Sequence, residues 1–315
     1  MVKITGFEKL IYKNMGPYKI EEEYGVALTA YLSEFKKNFP SSFVDLVQME
    51  LSKKSTDRLS LGKIYLFLSL DQNKPQSLPT KNQIAVRLDI LFILCDYLDD
   101  ILDGDSVIAL PKNELLINAM SLLFISIGEL CELTKNYLDT SKILFFLTES
   151  VNGERFDFYS TLSEDSSAEV YFSKMLQKST PLVQLVFYLA CPDNELIWKD
   201  CAQNLSTAFQ LQNNALDCMD TSKSDLVLFK ETLPFIKALE YARINTDKRF
   251  LTIIEHRITD EDSLAFLAFY MEKCGAVEYC LRAASLYFEE AFQILKNNSN
   301  ISVEVFTLLK SYLKE

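Results

Sequence analysis

Residues 88–102 are apolar at helical spacing, contain neither glycine nor proline, and run into an acidic cluster, DDILD at 99–103. A segment of this kind is a helix with much of its surface buried, and it must end where carboxylates are tolerated. At 3.6 residues per turn, Asp89, Asp96, Asp100 and Asp103 fall on one narrow stripe, with Asp99 beside it. Carboxylates held that close repel one another, and one is driven to protonate unless a cation intervenes. A hard divalent ion removes the conflict. Mg²⁺ takes one or two carboxylates, keeps several waters and completes its shell with phosphate oxygens. The pattern therefore implies a metal site for a phosphate-bearing ligand. A solvated face of an amphipathic helix has the same pattern, and the cluster alone leaves both readings open.

The rest of the chain must bury this helix. Its 315 residues, 49% of them hydrophobic, are enough for one large domain or two ordinary ones. The net charge of −12 argues against nucleic acid as a partner. It also means that a polyanionic ligand needs local cations, from metal or from a few placed lysines and arginines. Seven cysteines, an odd number without a CxxC pair, read as free thiols in a reducing compartment, which points to the cytoplasm. The first residues, MVKITGFEKLIYKN, have no apolar signal core. Apolar stretches such as 115–127 read as too short or too interrupted to span a bilayer. His256 is the only histidine, so a multi-histidine zinc site is excluded.

Glycine and proline are scarce, eight each. Apolar residues recur at helical spacing over 24–39, 84–102, 114–133, 143–158, 168–189, 195–219, 233–242, 261–295 and 303–313, and no run alternates at period two. The expectation is an all-α bundle of about ten helices forming a single domain over residues 1–315. Connections are expected at 71–80, 104–113, 162–167, 191–194, 221–228 and 296–302.

A second polar cluster lies in AFQLQNNALDCMD at 208–220. On a helix Gln210, Asn214 and Asp217 share a face, as do Asn213, Asp217 and Asp220. An asparagine carbonyl oxygen can ligate a hard metal, and bundle-core metal sites are built from facing helices. The following SDLVLFKETLP supplies Asp225 and Lys230 on a loop, where the lysine could hold a diphosphate as a point charge. A hydrogen-bonded or solvated helix face remains the other reading of the asparagines.

With both clusters in view, the chain resembles the trans-prenyl diphosphate synthases and class I terpene synthases of the polyprenyl synthetase family. The family's first DDxxD motif matches fully at Asp99, Asp100 and Asp103. Its second appears as NNALD, where only Asp217 matches and Asn213 and Asn214 replace acids. LGKIYLFLSL resembles the GGKxxRP segment, keeping Gly62 and Lys63. NGERFD at 152–157 resembles GGQxxD, and Lys178-Ser179-Thr180 resembles a Lys-Thr pair. Residues 224–239 resemble DLxxGKxTLPxxxAL, with Phe229 in place of the glycine. Coverage runs from about residue 61, leaving 1–60 as N-terminal helices.

The resemblance implies an isoprenoid-synthase-type bundle around a deep central cavity. It implies Asp99, Asp100, Asp103 and Asp217 as catalytic acids, and metal held by Asp99, Asp100, Asp103, Asn213, Asn214 and Asp217. Lys63, Arg155, Lys178 and Lys230 would contact diphosphate, although Arg155 also reads as a salt-bridge partner of the nearby acids. The cofactor implied is Mg²⁺, three ions with substrate bound. The partners implied are a C10–C20 allylic prenyl diphosphate and a second copy of the chain in a homodimer.

Departures from the family pattern bear on the reaction. Leu66 stands where the family arginine of the early segment would fall, and no arginine occurs from Leu88 to Glu154. Chain-elongating relatives carry an arginine pair there that helps hold isopentenyl diphosphate, and a lysine does not reproduce a guanidinium fork. The expectation is therefore Mg²⁺-dependent ionisation of an allylic diphosphate. The carbocation would be cyclised or quenched, as in a terpene synthase, or transferred to another acceptor, as in ComQ-type prenyltransferases. The alternatives are ordinary elongation with isopentenyl diphosphate, and a non-catalytic regulatory subunit of a two-subunit synthase. Against a cyclase, the terpene-synthase triad N/D–S/T–E is not reproduced by Asn213, Asp217 and Thr221.

Overall fold

The computed structural model describes residues 17–56, 60–70, 77–104, 110–174, 177–221 and 223–313, and these contain helices and no strand. In chain order the helices are α1 (Pro17–Phe35), α2 (Ser41–Thr56), α3 (Leu61–Ser69), α4 (Leu78–Asp103), α5 (Lys112–Thr134), α6 (Thr140–Tyr159), α7 (Ala168–Lys174) and α8 (Thr180–Ala190). A π-helical turn, Leu196–Cys201, leads into α9 (Ala202–Asp217). Then come α10 (Ser224–Val227), α11 (Leu233–Asn245), α12 (Lys248–His256), α13 (Glu261–Lys273), α14 (Ala276–Asn297) and α15 (Val303–Tyr312).

The helix expected over 84–102 is the spine of the bundle. It begins earlier, because Ser77 caps its N-terminus by accepting from the Thr80 N–H, and Pro79 fits the first turn. It stops at Gly104, whose φ of +81° is the left-handed conformation glycine takes most readily. Its flanks pack on α1, α2, α3 and α5. Two expected windows prove to be two helices each. The window 168–189 is interrupted before α8, whose first turn holds Pro181, which cannot donate to a continuing helix. The window 261–295 is cut by Gly275 at φ +82°. The sequence windows omitted α2, α3, α10 and α12. Helix α3 shows no amphipathic stripe because all nine of its residues are buried.

The buried apolar side chains form two clusters. The first is centred on α2–α6 and α8, the second on the end of α9 with α11–α14. Helices α9 and α14, which pack along each other, contribute to both. The acidic end of α4 belongs to the first unit, and Asp217, Asp225 and Lys230 to the second. Helix α5 is 23 residues long and, by length and composition alone, apolar enough to cross a membrane. The stretch 115–127, expected to be too short, is thus part of a longer apolar helix, of whose apolar window 28% is buried, Leu115, Ala119, Leu122 and Leu130 facing the first core.

Candidate active site

On α4, Asp99 and Asp103 are four residues apart and share a face. Each meets a lysine from a distant segment. The Lys178 ammonium lies 2.6 Å from Asp99 Oδ1, 3.0 Å from Asp157 Oδ2 and 3.3 Å from Glu154 Oε2. The Lys230 ammonium lies 2.5 Å from Asp103 Oδ2 and 3.1 Å from Asp157 Oδ2. One oxygen of Asp157 thus accepts from both lysines. Acids from α4 and α6 alternate with the two cations.

Local sequence explains how Lys178 gets there. Glu154 and Asp157 are three residues apart on α6 and point the same way. The neighbouring Gly153 lets α6 approach the 177–178 backbone closely. A Cβ on Gly153 would lie 2.3 Å from Gln177 carbonyl atoms and from Lys178 N. Ser150 Oγ donates to the Lys178 carbonyl at 2.9 Å and pins the same segment. Lys230 follows the short helix α10, and its backbone N–H donates to the Asp225 carbonyl at 3.0 Å.

The protonation balance follows from this packing. Burial acts to raise Asp157, but Lys178 and Lys230 outweigh it and hold its carboxyl below the ordinary range. Burial acts to lower both lysines, and the facing carboxylates overcome it, so both ammonium groups are held charged. Glu154 is pushed up to about 8 by burial, against Lys178 and with Asp99 adding to it. Burial also raises Asp103 against its bond from Lys230, and pushes Asp225 up to about 7, with Asp157 and Asp217 adding repulsion. The site holds more carboxylate than its two lysines neutralise.

A divalent cation fits that imbalance. Asp99, Glu154 and Asp157 each present an oxygen within 4.8 Å of the others. Glu154 Oε1 is buried with no hydrogen-bond partner. An all-oxygen donor set beside ammonium groups suits Mg²⁺ with a phosphate ligand better than a softer metal.

The residues singled out by sequence are distributed unevenly around this centre. Asp99, Asp103, Lys178 and Lys230 converge. Asp100 is half-buried beside Asp99, and Asp217 is half-buried at the last residue of α9, close enough to raise Asp225. Asn213 is exposed. Asn214 is buried with both amide atoms engaged: Nδ2 donates to Tyr171 Oη at 2.8 Å, and Oδ1 accepts from Gln210 Nε2 at 2.9 Å. Gln210 thus engages one lone pair of the Asn214 carbonyl oxygen. Arg155 is exposed and its side chain joins none of these ion pairs. Lys63 is buried on α3, its ammonium 5.7 Å from the centroid of the Tyr312 ring. Asp89 leaves the acidic stripe. It is buried and accepts from Tyr24 Oη at 2.6 Å, Ser60 Oγ at 2.7 Å and the Gly62 N–H at 2.9 Å, where it caps the start of α3.

Sequence reasoning passed over Glu154 and Asp157 as candidate metal ligands and Asp225 as a candidate site acid. The signal for the first two was present, since NGERFD puts them on one helix face beside a glycine.

The polyprenyl synthetase family model matches residues 66–271. No curated protein sequence matches the chain. Among solved structures, the chain is similar to heptaprenyl diphosphate synthase from Staphylococcus aureus, with TM-score 0.77 and 17% identity over 94% of this chain and 96% of that one. It is also similar to geranylgeranyl pyrophosphate synthase from Lactobacillus brevis, with TM-score 0.75 and 15% identity over 97% and 98%. A third similar structure is a decaprenyl diphosphate synthase from Rhodobacter capsulatus, with TM-score 0.71 and 16% identity over 93% and 96%.

Proposed function

Because the chain belongs to the polyprenyl synthetase family, we propose that it joins an allylic prenyl diphosphate to isopentenyl diphosphate, releasing pyrophosphate. The observation that carries this reading is the interleaving of acids and ammonium groups around Asp157. A metal–diphosphate complex needs both signs of charge in one place, and a solvated helix face does not. Asp99, Glu154 and Asp157 would hold Mg²⁺, with Asp100, Asp103 and Asp217 bordering it. Bound Mg²⁺ supplies positive charge that stabilises the departing diphosphate. Lys178 and Lys230 would add point charges for the diphosphate in a partly dry site. The carbon–oxygen bond of the allylic substrate breaks, and its electron pair leaves with pyrophosphate. The acceptor's double bond then supplies the pair for the new carbon–carbon bond, and a proton is released.

The solved structures of the same fold bear the names of chain-elongating synthases, which supports elongation over cyclisation. That reverses the weight the missing arginines give to a terpene-synthase or ComQ-type outcome. One observation still favours an acceptor other than isopentenyl diphosphate: Leu66, at the family arginine position, is 1% exposed and offers no cation.

The deciding experiment supplies purified protein and Mg²⁺ with geranyl, farnesyl or geranylgeranyl diphosphate, each with and without isopentenyl diphosphate. Products are read by mass spectrometry. Elongation predicts a longer diphosphate only when isopentenyl diphosphate is present. A hydrocarbon or alcohol from the allylic substrate alone overturns it in favour of a terpene synthase. Silence in every mixture overturns it in favour of a different acceptor or a regulatory subunit.

Residues 1–315 are read as one domain, and the assembly as a homodimer. Exposed Ile117, Met120 and Phe124 lie on one face of α5, and Leu144 and Phe145 are exposed on α6. An apolar surface of that kind suits a second copy of the chain.

A further inference from the structure

The backbone that carries Lys230 runs beside the segment that follows α6. The Leu162 N–H donates to the Phe229 carbonyl at 2.8 Å, and Ser160 Oγ donates to Glu231 Oε2 at 2.9 Å. These bonds flank Lys230 on both sides, while its ammonium reaches back to Asp157 near the end of α6. Phe229 has a φ of +51°, the left-handed region that a side chain disfavours. Its ring is buried, and the Arg257 guanidinium carbon lies 5.0 Å from its centroid, within cation–π reach. The same guanidinium donates to the Leu162 carbonyl. Leu162, Phe229 and Arg257 therefore form a closed ring of three contacts. Arg257 itself sits exposed at the C-cap of α12.

We propose that Arg257 is a positioning residue for Lys230, acting through Phe229 and Leu162. Its cation covers the Phe229 ring and ties Leu162 to the same point, so Phe229 keeps its left-handed backbone. If the ring of contacts opens, Phe229 relaxes toward an ordinary φ, and the next residue, Lys230, turns away from Asp103 and Asp157. The consequence for diphosphate binding rests on the function proposed above. The placement of Lys230 does not, and it is tested separately.

The test is competitive acetylation with limiting acetic anhydride, read by mass spectrometry as Lys230 reactivity relative to exposed Lys36. Wild type, Arg257→Met, Arg257→Lys and Phe229→Leu are compared. In Arg257→Met, Lys230 reactivity should rise by about three- to tenfold, the scale of one lost cation–π contact. Phe229→Leu should raise it similarly, and Arg257→Lys, which keeps a cation and a donor, should restore most of the protection. Unchanged Lys230 reactivity in folded Arg257→Met overturns the proposal whatever reaction the protein catalyses. Affinity for Mg²⁺ with pyrophosphate, measured by calorimetry on the same proteins, should fall by a similar factor in Arg257→Met. A freed Lys230 with unchanged affinity supports the positioning role and overturns Lys230 as a diphosphate ligand.

Discussion

Asp157 accepts two ammonium groups on one oxygen, so its charge holds Lys178 and Lys230 together. Replacing it with asparagine keeps the shape and removes the charge. Asp157→Asn should lower Mg²⁺-dependent pyrophosphate release by about a hundredfold or more, the loss typical of one preorganised electrostatic group. Arg155→Ala, two residues away and exposed, should leave turnover within about threefold, since effects at such surface positions are small. Equal losses in the two variants would count against the assignment. A second residue-scale prediction concerns Lys81. Its ammonium is buried and donates to the Ser69 carbonyl at 2.6 Å, and burial pulls its pKa from 10.5 down to about 8. Between those values the unfolded chain binds the extra proton, so this group makes stability rise with pH from about 8 to about 10.5. The gain is absent below that window. Urea melts across it should show a steeper rise for wild type than for Lys81→Met, by roughly 3 kcal/mol. Parallel curves would mean that Lys81 is not perturbed.

At the scale of elements, the site depends on how closely α6 approaches the turn before α8. Gly153 permits that approach, because any Cβ there meets backbone rather than a flexible side chain. Gly153→Ala should therefore push α6 away from Lys178. The expected result is a destabilisation of roughly 1–3 kcal/mol and a loss of Mg²⁺–pyrophosphate affinity in the protein that remains folded. Unaltered affinity would show that the helix can shift without moving the cation. The break between α7 and α8 matters for the same reason. A continuous helix over 168–189 would hold residue 178 in a helical repeat, whereas the interruption lets Lys178 face Glu154 and Asp157.

For the molecule as a whole, the exposed apolar face of α5 and α6 predicts self-association. Light scattering coupled to size exclusion should give twice the mass of 36.1 kDa. Phe124→Lys, which puts a charge on a residue 67% exposed, should shift the mass to the monomer without lowering the melting temperature of the fold. A monomeric wild type would leave that face to another partner.

Much of this was legible in the chain. Helical periodicity marked α4, α5 and α6 because a helix is a local structure, and its apolar stripe is written in consecutive residues. The same local rule placed Asp99 and Asp103 on one face. Residue chemistry singled out Lys230, and the family resemblance singled out Lys178. Periodicity missed α3, which is buried all round and carries no stripe. It also joined α13 to α14 across Gly275, since one residue at positive φ leaves little trace in a hydropathy pattern. Tertiary structure alone decided which polar groups meet. Asp89 and Asp99 both lie near the same stripe of α4, yet Asp89 is consumed by Tyr24, Ser60 and the start of α3, while Asp99 faces Lys178. Asn214 suits a metal by type, yet Tyr171 and Gln210 take both ends of its amide. A carboxylate or amide can accept from any donor that packing brings near. Its role is set by partners far away in the chain, which no local pattern encodes.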